Sequence, residues 1–272
     1  MFPVDLHLHT TASDGHWSPS ELVSQALEAG LEVMAVTDHD TVAGIAEAVE
    51  AARGKPIEVV AGVEISATCN GQAVHLLGYF FDPGDDALQE YLHNMEEARV
   101  TRAHRIVERL QALDIDITFD KVQAHANGAS IGRPHIAAAL VESGAVDTEQ
   151  QAFDEYLKND GAAYVAKPKR PASHAIDLLH RAGGISVLAH PGHWTRLVTI
   201  EEMTQAGLDG IEVRHPAHDR GLTRYYGRKA NDFGLIPSGG SDAHGRDDEE
   251  TAPGKFGLKL EEYEALRLAA LV

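Results

Sequence analysis

One cysteine, Cys69, stands among 272 residues, which excludes an internal disulfide and a cysteine-built zinc knot. A lone thiol fits a reducing compartment, and the cytoplasm is the expected location. No stretch is apolar for long enough to span a bilayer, and the opening Met-Phe-Pro-Val-Asp lacks the basic and apolar regions of a signal peptide. Basic residues are few: 23 Lys and Arg against 42 Asp and Glu, a net charge of −19. That balance argues against duplex DNA and anionic membrane as partners. Aromatics make up only 6%, too few for a long single-strand nucleic-acid track. Internal repeats and low-complexity tracts are absent, and the short acidic run Asp247–Glu250 reads as solvated surface.

Histidine is abundant instead. There are 16, against 14 Phe and Tyr together (7 of each), and such a ratio asks for a chemical use. Hydrophobic content of 43% with 24% charged residues is that of a soluble globular chain, long enough for one large α/β barrel domain.

Short β-branched runs ending in polar residues predict strands at Val4–His9, Glu32–Thr37, Ile57–Ser66, Ala73–Phe81, Ile185–His190, Gly210–Arg214 and Leu235–Gly239. Helical spacing of apolar residues fills Pro19–Ala29, Val42–Ala52, Ser173–Ala182, Ile200–Ala206 and Thr223–Phe233, with Gly30, Gly54, Gly183 and Gly207 at the expected C-termini. This alternation predicts a mainly parallel sheet, closed or doubly wound. Residues 86–170 break the rhythm with helices predicted at Leu88–Leu113, Pro134–Glu142 and Thr148–Lys158, and Lys167–Pro171 reads as a return linker. An inserted helical cap at 86–170, between barrel segments 1–85 and 171–272, is the simplest account.

Nine potential metal ligands recur along the strands: His7, His9, Asp14, His39, Glu64, His75, His190, Asp242 and His244. His7 and His9 alternate with Leu6 and Leu8, so both imidazoles are expected to leave one face while the leucines pack the other way. His39, Glu64, His190, Asp242 and His244 follow apolar runs, at the end of a barrel that carries chemistry. His75 is the exception, near the start of its run. Nitrogen and oxygen donors without sulfur suit catalytic Mn, Fe or Zn, and nine ligands are enough for two or three ions. Three divalent ions against three carboxylates leave a local charge of about +3, so an acidic chain can still attract a phosphorylated substrate.

Asp5-Leu-His-Leu-His-Thr10 with Ser13-Asp-Gly15, Thr37-Asp-His39, Gly62-Val-Glu64, Ala189-His-Pro191 and Gly240-Ser-Asp-Ala-His244 resemble the PHP (polymerase and histidinol phosphatase) superfamily. The resemblance implies a distorted seven-stranded (β/α)7 barrel with a trinuclear metal centre. It places His7, His9, Glu64 and Asp242 on one ion, Glu64, His75 and His190 on a second, and Asp14, His39 and His244 on a third. Manganese is the first expectation, with iron or zinc as alternatives. No ligand position is missing, which favours an enzyme over a metal-stabilised scaffold.

Within the superfamily, Gly132-Arg-Pro-His-Ile136 is similar to the branch of nucleoside 3′,5′-bisphosphate phosphatases, whose relatives also act as 5′→3′ exoribonucleases. Arg133 and Pro134 open a helix, a place suited to a second phosphate, with His135 beside it. Arg99 and Arg102, three apart, share a helix face; the plain alternative is a surface ion pair with Glu96 or Glu108. Lys167, Lys169 and Arg170 read as linker surface.

The expected reaction removes the 3′-phosphate of a nucleoside 3′,5′-bisphosphate, such as adenosine 3′,5′-bisphosphate, through in-line attack by a metal-bridging hydroxide. Glu64 is the central catalytic ligand, and His193 or His215 is expected to protonate the leaving ribose oxygen, a task metal-bound water can also do. Asp14, His39 and His75 are counted with Arg99, Arg102, Arg133, Pro134 and His135 as substrate-binding. The competing readings are exonuclease action on short 5′-phosphorylated RNA and hydrolysis of histidinol phosphate, which needs no second anion site.

Overall fold

The computed structural model describes residues 1–245 and 251–271; the acidic run Asp247–Glu250 lies outside the described residues. The chain divides into two compact units, Met1–Glu90 with Lys169–Val272, and Tyr91–Pro168.

The first unit is built on a seven-stranded sheet whose spatial order is the sequence order: β1 (Val4–Leu8), β2 (Val33–Val36), β3 (Glu58–Cys69), β4 (Gln72–Tyr79), β5 (Ile185–Leu188), β6 (Gly210–Arg214) and β7 (Ile236–Gly239). β1, β2 and β3 pair in parallel, as do β5, β6 and β7, while β4 runs antiparallel to both its neighbours. The sheet turns back on itself where His9 N–H donates to Ala243 O at 3.0 Å, giving a nearly closed barrel. β1, β2 and β5 are buried along their whole length, as strands covered on both faces require.

The antiparallel β4 departs from simple strand–helix alternation, and two residues cause it. Asn70 (φ 50°) and Gly71 (φ 73°) both take positive φ, the two-residue hairpin turn that Asn-Gly favours. β3 therefore continues three residues beyond its expected end and folds straight back as β4.

Helices α1 (Pro19–Glu28), α2 (Ile45–Ala52), α7 (Ala172–Arg181), α8 (Leu197–Gln205) and α9 (Arg220–Phe233) belong to this unit. Ser18 and Glu21 cap α1 reciprocally, and Pro19 occupies its first turn. α2 starts three residues later than its apolar spacing predicts. A Cβ on Gly44, its N-cap, would meet Asp38 Oδ2 at 2.6 Å, so this turn is fixed by close packing rather than by helix propensity. A further helix, α10 (Leu260–Ala269), was not legible in the sequence pattern. Its Tyr263 and Leu266 join Val4, Leu6, Leu77, Tyr79 and Val187 in the barrel core, at the end where the parallel strands begin. Each such buried side chain contributes about 1.5–3 kcal/mol. Tyr263 also donates to Glu58 Oε1 at 2.7 Å.

The second unit is helical. α3 (Asp86–Gln111) starts in the first unit and continues into it, followed by α4 (Phe119–Ala126), α5 (Arg133–Glu142) and the short α6 (Glu149–Ala152). α4 was not expected; Thr118 caps it and Asn127 ends it with φ 46°. The predicted helix Thr148–Lys158 is interrupted, because Phe153–Leu157 widens into a π turn closed by Lys158 N–H donating to Phe153 O at 2.9 Å. Ile106, Leu110, Val122, Ile136, Leu140 and Leu157 centre its own core.

Candidate metal centre

The ends of six strands converge on Glu64. Its Oε1 lies 2.6 Å from His75 Nδ1 and 2.8 Å from His190 Nε2. Its Oε2 lies 3.4, 3.3 and 3.0 Å from His7 Nε2, His9 Nε2 and His39 Nδ1. Asp242 Oδ1 stands 3.3 and 3.0 Å from the same two Nε2 atoms. Asp14 is 3.5 Å from His244 Nε2 and 3.9 Å from both His9 Nδ1 and His39 Nε2. All nine sequence-derived ligands thus meet in one place. His75 joins them because β4 is antiparallel: the start of β4 lies beside the end of β5, where Ala189 N–H donates to His75 O.

Local sequence explains the aim of His7 and His9. β1 holds one residue more than β2 between the Asp5–Met34 and Leu8–Val36 pairs, a bulge that resets the alternation. Leu6 therefore packs with Val4 in the barrel core while His7 and His9 meet the carboxylates. The expectation that Leu6 and Leu8 pack together on the opposite side is corrected here for Leu6. Gly240 lets the end of β7 approach, since a Cβ there would sit 2.2 Å from His7 Cβ. Asp38 fixes the loop after β1 by accepting from Thr10 N, Thr10 Oγ1 and Ser13 Oγ.

The donor set fits divalent metal ions. His7 Nε2, both ring nitrogens of His9, His39 Nδ1, Asp14 Oδ1 and Glu64 Oε2 are buried without a hydrogen-bond partner, and they face one another. Such a group of orphaned donor atoms is costly unless a cation completes it. The ligand atoms group as His7, His9, Glu64 and Asp242; as His9, Asp14, His39 and His244; and as His39, Glu64 and His75. His7, His9 and Glu64 form the buried floor, whereas Asp242, His244, His75 and His190 are partly open to solvent.

The electrostatics agree. Burial alone would push the Asp14, Glu64 and Asp242 carboxyls up, but the surrounding imidazoles hold all three well below the usual carboxylate range. Burial would likewise lower His9, yet Asp242 and Glu64 raise it to about 10. At His39 burial wins and pushes it down to about 3. Among the described residues, every ion pair these carboxylates make is with histidine.

Glu212 escaped the sequence reading, although a glutamate inside Gly-Ile-Glu-Val is an acidic residue in an apolar strand. It is fully buried and meets His7 Nδ1 at 3.1 Å and His190 N at 2.6 Å. Of the two candidate proton donors, His215 lies in the cluster: its Nε2 is 3.3 Å from Asp242 Oδ2 and its Nδ1 accepts from Ala217 N–H. His193 is exposed on the loop after His190 and lies near Asp219.

The second unit gathers the arginines. Arg99 donates to Ile131 O, Arg102 to Val165 O and Arg133 to Leu157 O, at 3.3, 2.7 and 3.0 Å. Burial and the neighbouring Arg133 and Arg99 push Arg102 down to about 10. Burial also lowers Arg133, with Arg99 adding to it. Among the described residues, neither Arg102 nor Arg133 has a carboxylate partner, so the surface ion-pair alternative does not hold for Arg102. Arg133 and Pro134 open α5 as predicted, while His135 Nδ1 accepts from Gly132 N–H and so caps the helix.

A nearly closed barrel whose strand ends hold a nitrogen and oxygen donor cluster is the architecture of a metal-dependent hydrolase. Residues 5–182 match the PHP domain model, and the chain belongs to the PHP family. It is 37% identical to a 5′-3′ exoribonuclease of Haemophilus influenzae over 246 residues, 88% of this chain and 89% of that one. It is 34% identical to a 3′,5′-nucleoside bisphosphate phosphatase of Chromobacterium violaceum over 272 residues, 98% of this chain and 93% of that one. A Bifidobacterium adolescentis structure described as a metal-dependent phosphoesterase superposes with a TM-score of 0.89 at 33% identity, covering 98% of this chain and 96% of that one. The chain is a phosphoric ester hydrolase. None of its helices is long and apolar enough to cross a membrane, among the described residues.

Proposed function

We propose that this enzyme removes the 3′-phosphate from nucleoside 3′,5′-bisphosphates in the cytoplasm, with residues 86–170 acting as a substrate-binding cap. The observation that carries this reading is the group formed by Arg99, Arg102 and Arg133, whose mutual repulsion lacks a carboxylate to offset it at Arg102 and Arg133. A phosphate dianion relieves that repulsion, and planar guanidiniums fit its oxygens. A substrate with a second phosphate uses this group; a single-phosphate substrate such as histidinol phosphate leaves it idle.

His7, His9, Glu64 and Asp242 would hold one ion, Glu64, His75 and His190 a second, and Asp14, His39 and His244 a third, with manganese the first choice. When bound, divalent ions supply an activated water and a Lewis acid for the phosphoryl group. The protein's own residues do the rest. Glu64 spans two ligand groups through separate oxygens. Asp14, His39 and His75 border the position of the reacting phosphate. His215 turns Nε2 toward Asp242 Oδ2, while its Nδ1 accepts the Ala217 N–H. His193 or His215 would protonate the departing ribose oxygen.

The 37% identical exoribonuclease favours a second reading, hydrolysis of short 5′-phosphorylated RNA by the same metals and the same arginines. The test is phosphate release by manganese-loaded protein from adenosine 3′,5′-bisphosphate beside nucleotide release from a 5′-phosphorylated RNA trinucleotide. Faster turnover of the bisphosphate, yielding AMP, supports the phosphatase. Stepwise mononucleotide release with an inert bisphosphate transfers the assignment to the nuclease.

A further inference from the structure

We propose that Glu212 is a positioning residue for two ligands of the metal centre at once, fixing the ring proton of His7 through Oε1 and the backbone of His190 through Oε2. The inference rests on the reading that the cluster binds metal ions. Glu212 sits in β6 with 0% exposure, its Oε1 3.1 Å from His7 Nδ1 and its Oε2 2.6 Å from His190 N. An ionised carboxylate only accepts hydrogen bonds, so His7 Nδ1 must donate to it. His7 then presents Nε2 to Glu64 Oε2 and Asp242 Oδ1, where that atom is buried without a hydrogen-bond partner. Carboxylates placed behind ligating imidazoles orient the ring and raise its basicity.

The second contact answers a different need. His190 has φ 23°, a backbone conformation that residues with a Cβ seldom adopt and that persists only when surroundings hold it. The short hydrogen bond from His190 N–H to Glu212 Oε2 is such a restraint, and His190 Nε2 then reaches Glu64 Oε1 at 2.8 Å. Glu212 could instead be taken as a ligand with His7 and His215. That role conflicts with the contacts just described: a nitrogen that donates to Glu212 has no lone pair to share with an ion.

Glu212→Gln separates these roles from mere space-filling. The amide has nearly the same shape but one acceptor oxygen and one donor nitrogen. If its oxygen accepts from His190 N–H, its NH₂ donates to His7 Nδ1 and drives the His7 proton onto Nε2, the ligating atom. If it flips, the NH₂ opposes the His190 N–H. One of the two ligands is misplaced either way.

The experiment titrates chelator-stripped wild type and Glu212→Gln with Mn²⁺ by calorimetry, then records ¹⁵N imidazole spectra of the zinc-loaded proteins. We expect affinity to fall about 10–100-fold. Wild-type His7 should show metal on Nε2 and a proton on Nδ1, a pattern lost in the variant. Glu212→Asp is the second variant: it keeps the charge but is one methylene short of reaching both partners. It should retain the His7 pattern and lose affinity to a lesser degree, and it carries the test if the glutamine variant does not fold. Equal affinities and unchanged His7 spectra across the folded variants would overturn the role of Glu212. A wild-type protein that takes up no divalent ion would defeat the metal reading itself.

Discussion

The metal cluster of the barrel and the arginine group of the helical unit are opposites in charge and alike in construction. In the first, buried nitrogens and oxygens of His7, His9, His39, Asp14 and Glu64 face one another without a hydrogen-bond partner. In the second, partly buried N–H donors of Arg102 and Arg133 crowd together without a carboxylate. Folding gains little from either arrangement, because buried polar groups are normally satisfied. On the proposed reading, cations would complete the first and an anion the second.

The largest effect is expected from Glu64→Gln, which removes the carboxylate that spans two ligand groups. Turnover should fall by about 1000-fold or more on every phosphate ester, bisphosphate and aryl phosphate alike. Full activity in this variant would remove the metal cluster from the chemistry. Arg102→Ala should be selective instead. Losing a buried charged contact costs about 2–5 kcal/mol, so kcat/KM for the bisphosphate should drop on the order of 100-fold. Hydrolysis of an aryl phosphate should stay near the wild-type rate. Parallel losses on both substrates would show that the arginines support structure rather than a second phosphate.

His9 without metal is raised to about 10, so it holds its proton at neutral pH. Ligation needs that proton removed. Metal binding must therefore expel protons, and affinity should climb with pH from 6 toward 10, about tenfold per unit for each proton displaced. Calorimetry in two buffers of different ionisation enthalpy reads the released protons directly; uptake with no release contradicts this sign. The smallest effect belongs to a control at the far end of the barrel. Tyr263→Phe loses the hydrogen bond to Glu58 and should cost about 1 kcal/mol of stability, visible in chemical denaturation, with kcat/KM unchanged.

Much of the metal centre was legible because ligands interrupt apolar runs. His7, His39, His190 and Asp242 each stand where a buried strand ends, and hydrophobic strands seldom end in such residues without a use for them. What stayed hidden depended on pairing. The place of His75 follows from Asn70 and Gly71 turning β4 antiparallel, and the aim of His7 from a one-residue bulge that only a register reveals. Glu212 was visible as an acidic residue in a strand, but its partners lie 205 and 22 residues away. The arginine face was readable from the three-residue spacing of Arg99 and Arg102. The carbonyls of Ile131, Leu157 and Val165 that hold the guanidiniums were not, since any residue supplies a carbonyl.

The most direct measurement counts the cations. Protein stripped with a chelator and re-equilibrated with Mn²⁺ should take up two or three ions per chain, by elemental analysis, and regain bisphosphate hydrolysis in step with uptake. Full hydrolysis by the stripped protein, with no saturable uptake, would contradict the claim that this cluster is completed by metal.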